Sequence, residues 1–137
     1  MTIRARLTTK DGTLADAANP IHTTGGAPTV TKATGSEGIA LSYTHATEAF
    51  VLDAVTVHFN AAPAAAGDLT VTLDSAQGAA YDTVLARIDP SATVATDIHV
   101  GFDGGALPCE PGDAITVAYA NPSARTYGAT IRTRRAG

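Results

Sequence analysis

Alternation with a period of two runs through this chain, and no stretch carries the 3.6-residue apolar stripe of a packed helix. GIALSY sets Ile39, Leu41 and Tyr43 on one side of an extended backbone, and LTVTLD does the same with Leu69, Val71 and Leu73. AFVLDAVTVHFN is the strongest run. Phe50 and Leu52 share one face, then Val55, Val57 and Phe59 share a face in the opposite parity. The change of phase at Asp53–Ala54 predicts a bulge, where one extra residue re-aims the side chains. YDTVLARID carries Val84, Ala86 and Ile88 in one phase with Tyr81 and Leu85 in the other, the pattern of a strand covered on both faces. Ile98, Val100 and Phe102, then Ile115, Val117 and Tyr119, then Tyr127, Ala129 and Ile131 continue the alternation. Gly67–Asp68, Gln77–Gly78, Asp89–Pro90, Pro111–Gly112 and Asn121–Pro122 punctuate these runs. Glu110–Pro111–Gly112–Asp113 fits a type II turn, with proline second and glycine third, where φ must be positive. AAPAAAGD (61–68) reads as a loop, because Pro63 and Gly67 leave too few residues for a stable helix. Strands and turns at this spacing predict an all-β chain, an antiparallel β-sandwich of jelly-roll or Ig-like type.

The sandwich is expected over residues 37–133. Ahead of it, residues 1–36 form an extended N-terminal arm with little core of its own, although TIRARLT could make a short strand with Ile3, Ala5 and Leu7 on one side and Arg4 and Arg6 on the other. DAANPIHTTGGAPTV (16–30) offers only Ile21 and Val30 as sizeable apolar side chains. Pro20 restricts Asn19 to extended conformations, and Gly25–Gly26 permits a sharp redirection. That order of parts suits an arm that becomes ordered against a neighbouring subunit, with Asn19, Pro20, Ile21 and Val30 as its contacts. Residues 134–137 read as a basic C-terminal tail.

Charge is distributed unevenly over these parts. Residues 33–124 hold eleven acids and Arg87 as their one base, whereas residues 1–32 and 125–137 are net basic. Arg4, Arg6, Arg132, Arg134 and Arg135 are therefore expected to face a partner of opposite potential. Nucleic acid fits poorly, since the bases are few and no aromatic residues interleave with them. No window approaches the roughly 18 apolar residues of a membrane span, and MTIRARLTTK has no apolar core of the kind a signal peptide carries. Cys109 stands alone, so an intrachain disulfide is impossible, and it reads as a small buried hydrophobe.

No motif carries recognisable chemistry. His22, His45, His58 and His99 lack the spacing of a metal site. Ser36 in TGSEG is not a nucleophile elbow, and Ser75, Ser91 and Ser123 sit in turns that serine's own hydrogen bonding explains. Asp74, Asp82, Asp89, Asp97 and Asp103 lie at strand ends, with no DxDxDG calcium pattern. GFDGG (101–105) reads as a hairpin turn, since no helix follows to supply amide dipoles to a phosphate. No catalytic residue, cofactor or metal is expected, and a hydrolase is the weakest of the readings.

The run from Phe50 to Ile131 resembles a type of small virion protein of tailed bacteriophages. FVLDAVTVHFNAAP, LTVTLDSAQGAAYDTVLARIDPS, TDIHV, EPGDAITVAYAN and RTYGATI carry the resemblance, and NPIH is similar to the extended piece that precedes such domains. The resemblance implies a structural protein that decorates and cements a phage head. It would bind the outside of the major capsid protein as a homotrimer, be made in the bacterial cytoplasm and be located on the virion. Its alternative is a tail or head-fibre module that binds a host receptor or glycan, with Tyr43, Tyr81 or Tyr127 as the stacking side chain.

Overall fold

A computed structural model describes residues 27–102 and 105–136. The strands, in chain order, are β1 (Pro28–Gly35), β2 (Ile39–Thr44), β3 (Phe50–Phe59), β4 (Leu69–Asp74), β5 (Thr83–Ile88), β6 (Asp97–Val100), β7 (Leu107–Cys109), β8 (Ala114–Tyr119) and β9 (Tyr127–Arg135). One sheet has the order β1-β9-β3-β6, with β7 pairing on β3, and the other has the order β2-β8-β4-β5. Every pairing is antiparallel. Successive strands change sheet except within the β4–β5 hairpin and the β6–β7 step, and the first and last strands pair with each other. That is the interlocked Greek-key order of a jelly roll, with β7 as a short addition.

The alternation explains the core. Phe50, Leu52, Val55, Val57 and Phe59 of β3 point inward and meet Leu69, Val71, Ile115, Val117 and Tyr119 from the facing sheet, all of them buried. Each such aliphatic or aromatic side chain contributes about 1.5–3 kcal/mol on leaving water. Two edge-to-face aromatic pairs, Tyr43–Phe50 at 5.0 Å and Phe59–Tyr119 at 5.6 Å, bridge the sheets. The expected bulge is present. Leu52 pairs with Thr133 and Ala54 with Arg132, so Asp53 is the extra residue and the parity of β3 flips there. Gly112 has φ +87°, and the Asp113 amide donates to the Glu110 carbonyl at 3.1 Å, as the type II turn requires. Residues 61–68 form a loop, pinned where the Ala64 and Ala65 amides donate to Ser123 Oγ at 2.9 Å.

Four expectations change. Residues 28–35, assigned to the arm, form β1, which pairs along its whole length with β9. The strand was hidden because only Ala33 packs against the core. At the other end β9 extends through Arg135, so Arg134 and Arg135 lie in a strand rather than a tail. β5 is not covered on both faces. It is the edge of its sheet, and a second bulge, with Val71 opposite Ala86 but Thr72 opposite Val84, makes Leu85 the extra residue. Apolar side chains therefore occur in both parities without two covering layers. Asp89–Pro90, expected as a turn, opens a four-residue helix, Pro90–Thr93, whose first amides are capped by the Asp89 carboxylate.

A candidate interaction surface on the β1–β9 ribbon

The register of β1 on β9 decides which side chains meet on the outer face of the first sheet. Val30 lies opposite Arg132, Lys32 opposite Thr130 and Thr34 opposite Gly128. Paired residues in an antiparallel ladder share a face, so Val30, Lys32 and Arg132 form one solvent-facing patch. Val30 is 40% exposed. Lys32 and Arg132 are exposed, and neither side chain makes a hydrogen bond or ion pair among the described residues.

Two further arginines flank the patch, and both are held. Asp53, the bulged residue of β3, accepts from Arg134 Nε at 2.8 and 3.0 Å. The Asp53 hydrogen bond raises the guanidinium's pKa. Arg135 pairs with Glu48 just ahead of β3. Both carboxylates fix the direction of an arginine at low cost in order, since one sits on a paired strand and the other against the His45 turn, where His45 Nδ1 accepts from the Glu48 amide at 3.1 Å. Of the residues expected to touch a partner, the structure thus brings Val30, Arg132 and Arg134 to one face, whereas Arg135, opposite Phe50, has the other parity of β9. Arg4, Arg6, Asn19, Pro20 and Ile21 lie outside the described residues. Pro28 pairs with Arg134, so the segment that precedes β1 joins the sheet beside these arginines. Lys32 belongs to the patch but carries no signal in the sequence, because only the strand register places it next to Arg132.

Across the same sheet, Thr56, His58, Asp97, His99, Gly128 and Thr130 line a shallow hollow of about 420 Å³. His58 Nδ1 bonds Asp97 Oδ1 at 2.7 Å, with both side chains exposed. That bond first, and the Thr96 hydroxyl second, lower the Asp97 pKa. The Thr56 and Thr130 hydroxyls also bond each other. The His58–Asp97 and Thr56–Thr130 pairs form across the strands, as on a stabilised sheet surface.

Asp89, Asp113 and Cys109 have structural surroundings. The Asp89 carboxylate receives the Ser91 hydroxyl at 2.7 Å, the main cause of its lowered pKa. Asp113 is buried and accepts the Glu110 amide at 2.8 Å and the Ala76 amide at 2.9 Å. Burial pushes the Cys109 thiol up to about 11. Among the described residues no three His, Cys, Asp or Glu side chains stand close enough to hold a metal ion, and no helix is long and apolar enough to cross a membrane.

A second hollow, at one end of the sandwich, is lined by Leu73, Ser75, Gln77, Tyr81, Pro108, Glu110 and Asp113. Tyr81 is 65% exposed beside it, whereas Tyr127 is buried and Tyr43 is occupied by Phe50. No protein-family model matches the chain, and the comparison with curated proteins finds no match either.

Proposed function

We propose that the chain is a non-enzymatic virion structural protein that decorates the outside of a phage head and cements it. Attachment to the major capsid protein runs through the segment ahead of Pro28 together with the outer face of the β1–β9 ribbon. One observation carries this reading. The β1–β9 register brings the start of β1 to Arg134 and sets the exposed Val30 opposite Arg132, with Lys32 on the same face. Most of the acids lie in the intervening chain, so the molecule presents a basic, partly apolar end that complements an acidic partner surface. The jelly-roll order agrees with the resemblance of Phe50–Ile131 to small phage virion proteins, as an analogy of fold rather than of site. Repetition over a symmetric shell turns a modest patch of this kind into avid attachment, and a homotrimer is the assembly that suits a three-fold lattice position.

The test is occupancy on isolated phage heads, measured by co-sedimentation and electron cryo-microscopy. Val30→Asp combined with Arg132→Glu should abolish binding while the variant keeps its fold, and raised salt should weaken binding of the unaltered chain. Full occupancy by the folded variant would overturn the reading.

The alternative, a receptor-binding or glycan-binding module, is favoured by one observation: Tyr81 stands exposed over a hollow that also offers Ser75, Gln77 and Glu110. An aromatic face with adjacent amide and carboxylate groups is a sugar platform. A glycan array on which Tyr81→Ala removes a wild-type signal would support this reading; an array without signal would dispose of it.

A further inference from the structure

We propose that the open edge of β5 is filled by residues 2–8 of a second copy of this chain, added as a fifth strand of the sheet. β5 pairs with β4 on one side and with no strand on the other among the described residues. A strand edge left this way is a template for another strand. Tyr81 is 65% and Val94 73% exposed near its ends, and Val84, 48% exposed, lies on the outer face opposite Thr72, while Ala86 and Ile88 face the core opposite Val71 and Leu69. The core is also incompletely covered along this flank. Leu73, Leu85, Ala86, Ile88, Ala95 and Phe102 pack against the core yet remain partly exposed.

The chain contains a segment suited to that edge. Ile3, Ala5 and Leu7 of TIRARLT alternate with Arg4 and Arg6, so an added strand would lay its apolar side over the half-covered core and turn its arginines outward. Seven residues span about 24 Å as a strand, close to the roughly 20 Å of the six-residue β5. Charge agrees as well. Between Asp68 and Pro90 the chain carries Asp68, Asp74, Asp82 and Asp89 against Arg87 alone, and Arg87 is already engaged by Asp68 at 3.4 Å. A segment bearing Arg4, Arg6 and Lys10 complements that edge.

The donor is a second copy rather than the same chain. β1 and β2 lie together at one flank of the sandwich, whereas β5 ends its sheet at the opposite flank. Residues 8–27 can extend at most about 70 Å, which reaches the chain's own β5 as well as a neighbour's, so the mixed-cysteine experiment below separates exchange between copies from closure within one chain. Exchange of this kind closes β5 edges between copies.

The experiment uses the purified full-length chain without phage particles, so its failure is distinct from failure of the shell-binding reading, which rests on particle occupancy. Light scattering over a range of concentrations should show self-association. Ile3→Asp combined with Leu7→Asp should weaken it roughly a hundredfold or more, with an unchanged far-UV circular dichroism spectrum. Val84→Lys, at an exposed position that the fold tolerates, should do the same. Chains carrying Ala5→Cys, mixed with chains carrying Ala86→Cys, should form a disulfide between copies on oxidation, without competition from the buried Cys109 thiol. A monomer at all concentrations, or self-association that survives both the double variant and Val84→Lys, would overturn the proposal. So would a disulfide that forms only when both cysteines are on one chain.

Discussion

Asn121 joins two connections through one buried side chain, and replacing it should cost more than any single core methyl group. Its Nδ2 donates to the Ser36, Glu37 and Arg125 carbonyls at 3.0, 3.0 and 2.9 Å. Its Oδ1 accepts from the Arg125 amide at 3.1 Å. The side chain therefore ties the β1–β2 connection to the β8–β9 connection at the rim where the sheets meet. Its backbone has φ +54°, a left-handed conformation that asparagine tolerates better than other non-glycine residues. In Asn121→Ala, two N–H donors and one acceptor vanish, and the groups they served are left in a site only 4% exposed. At about 1–1.5 kcal/mol for each lost bond, with about 1 kcal/mol for alanine in the left-handed region, the total is about 4–5 kcal/mol. That is a large part of the 5–15 kcal/mol by which a typical domain is stable. Urea unfolding followed by circular dichroism measures it. Asn121→Gly should cost about 1 kcal/mol less than alanine, since it loses the network without the backbone strain. Asn121→Asp adds a sign that depends on pH. A carboxylate aimed at three carbonyl oxygens has its folded-state pKa raised, so the variant is most stable below the unfolded value of roughly 3.9 and loses stability as pH rises through the folded value. A cost below about 1 kcal/mol for alanine, or a glycine variant weaker than alanine, would refute the argument.

Three further outcomes are expected. Thr133 is fully buried on the inner face of β9 and its hydroxyl has no hydrogen-bond partner among the described residues, so Thr133→Val should raise stability in urea by about 1 kcal/mol or more; a loss would mean that the hydroxyl has found a partner. Cys109 is buried with its thiol pushed up to about 11, so a thiol reagent at neutral pH should label it only as fast as the molecule unfolds, and prompt labelling of the folded protein would contradict its burial. The Asp97 carboxyl is held low by His58, and its favourable contact is present above the unfolded pKa and weakens as pH falls through the folded one. In His58→Leu the Asp97 pKa followed by NMR should climb toward its ordinary value, and no movement would show that the bond to His58 is not its cause.

The sandwich could be read from the residues because most of its strands keep one face in the core, and burial imposes a period of two on whatever is written there. The bulge at Asp53 was readable for the same reason, since an extra residue reverses the parity of Phe50–Leu52 against Val55–Phe59. Where burial is slight, that signal fails. PTVTKATG turns only Thr31, Ala33 and Gly35 partly inward, none of them a sizeable apolar side chain, so its residues carry no apolar parity, and β1 depends on hydrogen bonds to a strand about a hundred residues later. β5 misled in the other direction, because its bulge at Leu85 and its open edge place apolar residues in both parities with only one layer covering them. The interaction patch shares the first difficulty. Basic residues at both ends of the chain were visible, but only the β1–β9 ladder sets Val30 and Lys32 beside Arg132, and only the bulge delivers Asp53 to Arg134. The same register that conceals the patch from the sequence makes it sensitive to a one-residue slip, which would turn Lys32 and Arg132 into the core. Inward Ile131, Ala129 and Tyr127, all buried, forbid that slip, so the packing of one face of β9 holds the charges of the other in place.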